Sequence, residues 1–119
     1  MRLAHAGLIV SDLEIAAGFY EGVLGLQRLP RPDLGFPGLF YRLGIDQELH
    51  LMLLPDPCAG HDRPEHGGRD RHLALSVAVL PPIESALLQA EIPFTRSRSG
   101  RKAIFCRDPF GNALEFVSE

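Results

Sequence analysis

The feature that most constrains the fold of this chain is an internal repeat in the order of its elements. Each half is expected to contain a strand, a helix and further strands, and each half has polar side chains at matching places. His5 and His72 lie in the opening strands, 67 positions apart, and His50 and Glu115 lie in the closing strands, 65 positions apart. A repeat of this kind predicts two similar β-rich modules.

Periodicity and turn residues predict where the elements lie. In the first half we expect a strand over about 3–10, a helix that begins at Ser11 and Asp12 and ends at Gly25, and strands over 39–43 and 48–54. In the second half we expect a strand over 71–79, a helix over about 82–90, strands near 93–96 and over 102–107, and a final strand that contains Glu115. The chain is therefore expected to be one domain, with a module over about 1–55, a polar linker over about 56–70 that could act as a hinge or a lid, and a second module over about 71–119.

Glu115 is an acidic residue inside an apolar strand. The strand follows a turn over 108–112, where Asp-Pro and Gly-Asn are typical turn residues. Because side chains alternate across a strand, Glu115 lies on the face opposite Leu114 and Phe116. A short carboxylate in this position needs a partner, which could be solvent, a basic side chain or a metal ion.

Composition limits the functional class. The net charge of −3 argues against general nucleic-acid binding, and no apolar run is long enough to cross a bilayer. Two cysteines do not make a disulfide framework, so a reducing, cytoplasmic location is the simpler expectation. Basic residues are concentrated late in the chain, because residues 71–119 hold 6 of the 12 Lys and Arg but only 5 of the 15 Asp and Glu.

Each of the four matching polar residues also has a purely structural interpretation. His5 could be a surface or capping residue, His50 and His72 could be hydrogen-bonded core histidines, and Glu115 could be an edge-strand charge or an ion-pair partner. One shared site explains all four together more economically. Three imidazoles and a carboxylate are a ligand set suited to Zn, Ni, Mn or Fe(II).

The chain resembles the vicinal oxygen chelate superfamily, which includes glyoxalase I, bleomycin-resistance proteins, fosfomycin-resistance enzymes, methylmalonyl-CoA epimerase and extradiol dioxygenases. The matching stretches cover nearly the whole chain and are residues 5–13 (HAGLIVSDL), 19–26 (FYEGVLGL), 71–77 (RHLALSV) and 108–116 (DPFGNALEF). The resemblance implies an α+β fold in which two βαβββ modules form a curved mixed sheet around a cleft, usually in a homodimer.

The resemblance also implies that His5, His50, His72 and Glu115 are metal ligands. His50 stands where glyoxalase I has Glu and the epimerase has Gln, so this ligand differs from both, and it could be a fourth ligand or an acid–base group. Superfamily members use a divalent metal to chelate two vicinal oxygens and to stabilise the negative charge that develops there. Glu115 is then the candidate base for a carbon-bound proton.

These implications favour a metal-dependent lyase or isomerase similar to glyoxalase I. A ring-cleaving dioxygenase would need Fe(II) with open positions that a fourth protein ligand would crowd. The chain could also be a fosfomycin-type thiol transferase, or a metal-free, drug-sequestering protein similar to the bleomycin-resistance members.

A basic segment over 96–102 could bind the substrate. Arg98, Ser99, Arg101 and Lys102 combine cations with a hydroxyl next to a glycine, a combination that can cradle a phosphate or a carboxylate, although the segment could equally be a solvated hairpin turn. If the segment faces the site, the small-molecule substrate is anionic.

The remaining residues that could carry chemistry have simpler interpretations. Tyr20 and Tyr41 are expected to pack in the core or on the surface, and Cys106 is expected to be a buried strand thiol. Cys58, His61 and His66 share one loop without a convincing fourth ligand, so a second metal site there is not expected.

Overall fold

The computed structural model describes all 119 residues and divides them into two compact units, Met1–Ala59 and Gly60–Glu119. Each unit holds one four-stranded mixed sheet and one α-helix. The predicted α+β class and the repeated order strand, helix, three strands are confirmed.

Unit 1 begins with a parallel strand and ends with a meander. Its elements are β1 (His5–Val10), α1 (Leu13–Ala17), a π-helical segment (Gly18–Val23), β2 (Arg28–Leu29), β3 (Gly38–Leu43) and β4 (Gln47–Leu53). The sheet order is β1-β4-β3-β2, with β1 parallel to β4 and the other pairs antiparallel. The two-residue strand β2 was not predicted, because so short a segment has no periodicity to detect.

Unit 2 repeats this plan. Its elements are a short 3₁₀ helix (Gly67–Arg69), β5 (His72–Val77), α2 (Pro81–Gln89), β6 (Phe94–Arg96), β7 (Ala103–Arg107) and β8 (Ala113–Ser118). The sheet order is β5-β8-β7-β6, and β5 is parallel to β8. The 3₁₀ helix lies in the segment that we predicted only as a polar linker.

The first helix begins where the sequence predicts. Asp12 is its N-cap, and Asp12 Oδ1 accepts a hydrogen bond of 2.9 Å from the backbone N–H of Ile15. The predicted single helix is instead a short α-helix that continues as a wider π-helical turn, with Phe19 and Tyr20 buried. Neither helix is long and apolar enough to cross a bilayer.

The register of the parallel strands makes the two candidate ligands of each unit diagonal neighbours on adjacent strands. In unit 1, Gly7 of β1 pairs with His50 of β4, and Gly7 is two residues after His5. In unit 2, Ala74 of β5 pairs with Glu115 of β8, and Ala74 is two residues after His72. Because residues i and i+2 share a face of a strand, both units bring their two candidate ligands to one face of the sheet.

Candidate metal-binding residues

Glu115 is a buried carboxylate with two basic partners. Its side chain is 1% exposed, Oε1 accepts a hydrogen bond of 2.9 Å from Arg101 Nη2, and Oε2 lies 3.1 Å from His72 Nε2. Of the three partners that the sequence left open, the structure shows basic side chains and excludes bulk solvent. An isolated buried carboxylate would be costly, so these two contacts are what allows Glu115 to occupy the strand.

The hydrogen bond of His72 Nδ1 determines which tautomer a neutral His72 ring adopts. His72 Nδ1 lies 2.8 Å from the backbone oxygen of Asp70, which can only accept, so Nδ1 carries a proton. A neutral imidazole in this tautomer has its lone pair on Nε2, where it faces the carboxylate of Glu115. A proton or a metal cation between the two atoms satisfies both.

The chemistry of this pair fits a divalent metal. Two ligand atoms that each lie about 2.1 Å from one ion are about 3.0 Å apart in an octahedral site and about 3.4 Å apart in a tetrahedral one. The distance of 3.1 Å between His72 Nε2 and Glu115 Oε2 lies in that range, and it is also that of an ordinary hydrogen bond. The contact from Nδ1 to a backbone carbonyl is also the arrangement that usually orients a metal-bound histidine.

Asp70 holds the backbone that orients His72. Its Oδ2 accepts hydrogen bonds of 2.7 Å from Arg63 and 2.9 Å from Arg107, and its Oδ1 accepts one of 2.8 Å from the backbone N–H of Arg71. Burial raises the pKa of Asp70, but these hydrogen bonds outweigh it and lower the pKa to about 2. The start of β5 is therefore anchored by an ionised carboxylate over a wide pH range.

In unit 1, His50 lies in a stack of rings. Its centroid is 3.6 Å from that of Phe40 and 4.2 Å from that of His5. His50 Nε2 lies 2.6 Å from Glu48 Oε2, which leaves Nδ1 as the ring nitrogen without a carboxylate partner. The rings of His5 and His50 are thus stacked on one face of the sheet.

The structure brings the predicted ligands together in pairs, His5 with His50 and His72 with Glu115. No group of three or more His, Cys, Asp or Glu side chains is arranged to hold a metal ion. Each unit by itself therefore supplies two of the four predicted ligands.

The basic segment contributes to a cavity of about 300 Å³ in unit 2. Three of the predicted substrate-binding residues, Arg98, Ser99 and Arg101, line this cavity together with His72. Lys102 lines a different cavity, of about 470 Å³, and does not line this one.

The remaining predicted residues have structural roles. Tyr20 and Tyr41 are fully buried in the core, which is one of the two placements that the sequence left open, and Tyr41 Oη donates a hydrogen bond of 2.9 Å to Glu21. Cys106 is a buried strand thiol, also as predicted, whereas Cys58 is half-buried in a loop.

Glu48 and Asp70, which lie near the candidate ligands, were missed at the sequence level, and His66 was considered only as part of a loop without a convincing fourth ligand. Glu48 could have been found, because it lies two positions before His50 on the same face of β4. Asp70 and His66 precede β5 in a connection without periodicity, and only their tertiary contacts show what they bind.

Comparison with known proteins agrees with this fold. An 81-residue segment is 35% identical to mitochondrial methylmalonyl-CoA epimerase from Homo sapiens, over 64% of this chain and 46% of that protein. The chain thus spans about half the length of the curated relatives it matches.

Solved structures are similar over the whole chain. A glyoxalase family protein from Bacillus anthracis has a TM-score of 0.77 at 21% identity, over 100% of this chain and 95% of that one. The fosfomycin resistance protein FosX from Listeria monocytogenes has a TM-score of 0.76 at 14% identity, over 98% and 90%. At these identities the likeness shows the fold alone. The profile of the Glyoxalase/Bleomycin resistance protein/Dioxygenase superfamily matches residues 2–116, and the chain belongs to that superfamily.

Proposed function

We propose that this chain is a divalent-metal-dependent lyase or isomerase, similar in type to glyoxalase I, that acts on a small anionic substrate. The observation that carries the proposal is the pair formed by His72 and the buried Glu115, in which His72 Nε2 lies 3.1 Å from a carboxylate oxygen. A proton or a divalent metal ion between these two atoms satisfies both, and we propose that the active protein holds the ion there. By its resemblance to other superfamily members, the protein is proposed to be a cytoplasmic homodimer.

The proposed ligands are His5, His50, His72 and Glu115, and the proposed ion is Zn, Ni, Mn or Fe(II). The matching diagonals of the two sheets support this set, because each unit offers two ligands in the same register. When bound, a divalent ion would supply Lewis acidity for the negative charge that develops on two adjacent substrate oxygens.

Glu115 is the proposed base for a carbon-bound proton. Arg101 holds Oε1, so Oε2 is the oxygen that can receive the proton. Arg101 keeps the carboxylate in one orientation during proton transfer.

His50 is proposed either as the fourth ligand or as an acid–base group. Glu48 Oε2, 2.6 Å from His50 Nε2, fixes the plane of the ring, and the stack with Phe40 prevents it from turning. A histidine held by a carboxylate in this way can bind a metal or hold a proton through Nδ1.

The similarity to an epimerase supports isomerisation over ring cleavage. Epimerisation removes a proton from one face of a carbon and delivers a proton to the opposite face, and a carboxylate base beside a Lewis acid can catalyse the removal. The relative matched over 64% of this chain is named as an epimerase of methylmalonyl-CoA. Acidic thioesters and hemithioacetals are therefore the substrates to test first.

The proposal is tested by metal analysis and by proton exchange. Purified protein is assayed for bound metal and is then incubated in D₂O with methylmalonyl-CoA and, separately, with the hemithioacetal of methylglyoxal and glutathione. We expect metal-dependent deuterium incorporation at carbon or conversion of the hemithioacetal, and we expect Glu115→Gln to reduce the rate by about 10²- to 10⁴-fold. Glutamine has nearly the same volume as glutamate, so the substitution leaves no cavity at this buried position.

Glu14→Gln is the matched control, because Glu14 is an exposed acid in the first turn of α1. Its activity should equal that of the wild type. Turnover of a catechol, or of fosfomycin with a thiol, in place of proton exchange would contradict the proposal and favour the dioxygenase or the transferase. A metal-free protein that binds a drug without turnover would favour the sequestering function.

A further inference from the structure

The cavity of about 300 Å³ in unit 2 is lined by basic and hydroxyl-bearing side chains and by no carboxylate. Its lining residues are His66, Gly68, Arg69, His72, Ser97, Arg98, Ser99, Arg101 and Phe105. Three arginine residues therefore line one concave space. A cleft lined by charges of one sign concentrates the field and attracts ions of the opposite sign.

Two of these guanidinium groups are not neutralised by the protein. Neither Arg69 nor Arg98 forms an ion pair, and the carboxylate of Glu115 is shared between Arg101 and His72. Five arginines outside the cavity do form ion pairs with carboxylates: Arg2, Arg28, Arg63, Arg96 and Arg107. Two uncompensated guanidinium charges thus share this one concave space.

His66 adds a neutral hydrogen-bonding group to the cavity wall. It is 6% exposed, and its Nδ1 lies 2.6 Å from Thr95 Oγ1. Burial and the nearby Arg98, Arg69 and His72 lower the pKa of His66. Held by Thr95 on Nδ1, the ring has its Nε2 available as a further hydrogen-bonding atom.

Two hydroxyls complete the lining on the side of the hairpin. Ser97 Oγ and Ser99 Oγ are 2.9 Å apart, and the backbone N–H of Ser99 donates to Ser97 Oγ at 3.2 Å. A hydroxyl can turn its proton toward an anion. Donors are therefore available from Arg69, Arg98 and the two serines.

We propose that this cavity binds the terminal phosphoryl group of an organic substrate. A planar carboxylate is satisfied by one bidentate guanidinium, whereas a dianionic phosphoryl group has three terminal oxygens and accepts hydrogen bonds from several directions. The cavity offers that arrangement and the matching charge. The inference rests on the proposed function, because His72 and Arg101 line the cavity, and it adds small phosphorylated acids to the thioesters and hemithioacetals as substrates to test.

The test measures binding of inorganic phosphate, methyl phosphate and acetate to the purified 119-residue chain by titration calorimetry. It is done in the presence of a chelator, so that an anion bound to metal does not contribute. We expect saturable binding of phosphate and methyl phosphate with similar affinity, and about tenfold weaker binding of acetate. Arg69→Gln and Arg98→Gln should each weaken phosphate binding by about tenfold, because each removes a charged donor.

Arg42→Gln is the matched control, since it removes the same charge from an exposed residue of unit 1 that donates to the carbonyl of Ile45. It should leave phosphate binding within about twofold of wild type. Absence of saturable phosphate binding, equal effects of all three variants, acetate binding as tight as phosphate, or binding of inorganic phosphate without methyl phosphate would each overturn the inference. Because metal is excluded, these results are independent of whether the metal ligands are assigned correctly.

Discussion

At the residue scale, the candidate site contains two carboxylates, Glu115 and Asp70, that are held in place by hydrogen bonds to basic side chains. Glu115 is tolerated inside β8 because Arg101 and His72 contact both of its oxygens. Asp70 has the same relation to Arg63 and Arg107, and its backbone oxygen orients His72. A substitution of Asp70 should therefore change both the free energy of unfolding and the orientation of His72.

The stability contribution of Asp70 is predicted to depend on pH. Its pKa in the folded chain is lowered from 3.8 to about 2, so the contribution is fully present above pH 4 and is lost as the pH falls toward 2. Asp70→Asn should lower the free energy of unfolding by about 1–2 kcal/mol at pH 7 and by much less at pH 2. Urea unfolding of both proteins across this pH range measures the difference.

Asp62→Asn is the control, since Asp62 is an exposed acid of the same connection. It should change the free energy of unfolding by less than about 0.5 kcal/mol at any pH. A deficit for Asp70→Asn that stays constant from pH 7 to pH 2 would show that its charge is not responsible.

The two cysteines are predicted to differ in reactivity. Burial, together with the nearby Asp108, raises the pKa of Cys106 to about 12, and the side chain is 4% exposed. Cys58 is half-buried in a loop. Iodoacetamide at pH 8 should alkylate Cys58 and leave Cys106 unmodified until urea is added, as peptide mass spectrometry will show; modification of both in the native protein would contradict the burial of β7.

At the element scale, the turn before β8 sets the position of Glu115. Asp108 Oδ1 accepts hydrogen bonds of 2.9 Å from the backbone N–H groups of Phe110 and Asn112, and Asp108 Oδ2 accepts one of 2.8 Å from Asn112 Nδ2. Gly111 occupies the left-handed region at φ +87°. The turn closes only with that backbone conformation, which costs a residue with a Cβ about 1 kcal/mol or more.

Gly111→Ala is therefore predicted to destabilise the protein by about 1–2 kcal/mol. Gly18→Ala is the matched control, because Gly18 has helical dihedrals (φ −57°, ψ −37°) and an added Cβ would contact nothing within 4 Å. The control should be neutral or more stable by up to about 1 kcal/mol. Thermal or urea unfolding compares the two, and equal effects would mean that the left-handed conformation is not what the turn requires.

At the scale of the whole molecule, the internal repeat extends to the register of the parallel strand pairs. Each sheet places one candidate ligand at the start of a strand and the second on the same face of the neighbouring strand. Neither unit alone holds three ligands. The four proposed ligands are therefore divided equally between the two units.

Metal-induced stabilisation is predicted to depend on His5 and on His72, because both are proposed ligands. An ion at about 100 times its Kd should stabilise the wild type by about 2.7 kcal/mol, seen as a rise in Tm. His5→Gln in unit 1 and His72→Gln in unit 2 should each remove most of that rise. His61→Gln, at an exposed loop position, is the control and should keep it. A rise that survives His5→Gln but not His72→Gln would assign the ion to unit 2 alone.

The sequence by itself determined the fold class, the repeated order of elements and the four candidate ligands. These follow from alternation within strands and from turn residues such as Asp108, Gly111 and Asn112, which act over a few positions of chain. Tertiary structure decided the contacts of those ligands, because Glu115 meets Arg101 and His72 only once three strands have paired. The cavity that Arg69 and Arg98 line was also decided by the tertiary structure. Its lining residues come from two segments about 30 residues apart, and no local sequence pattern predicts that these segments lie together.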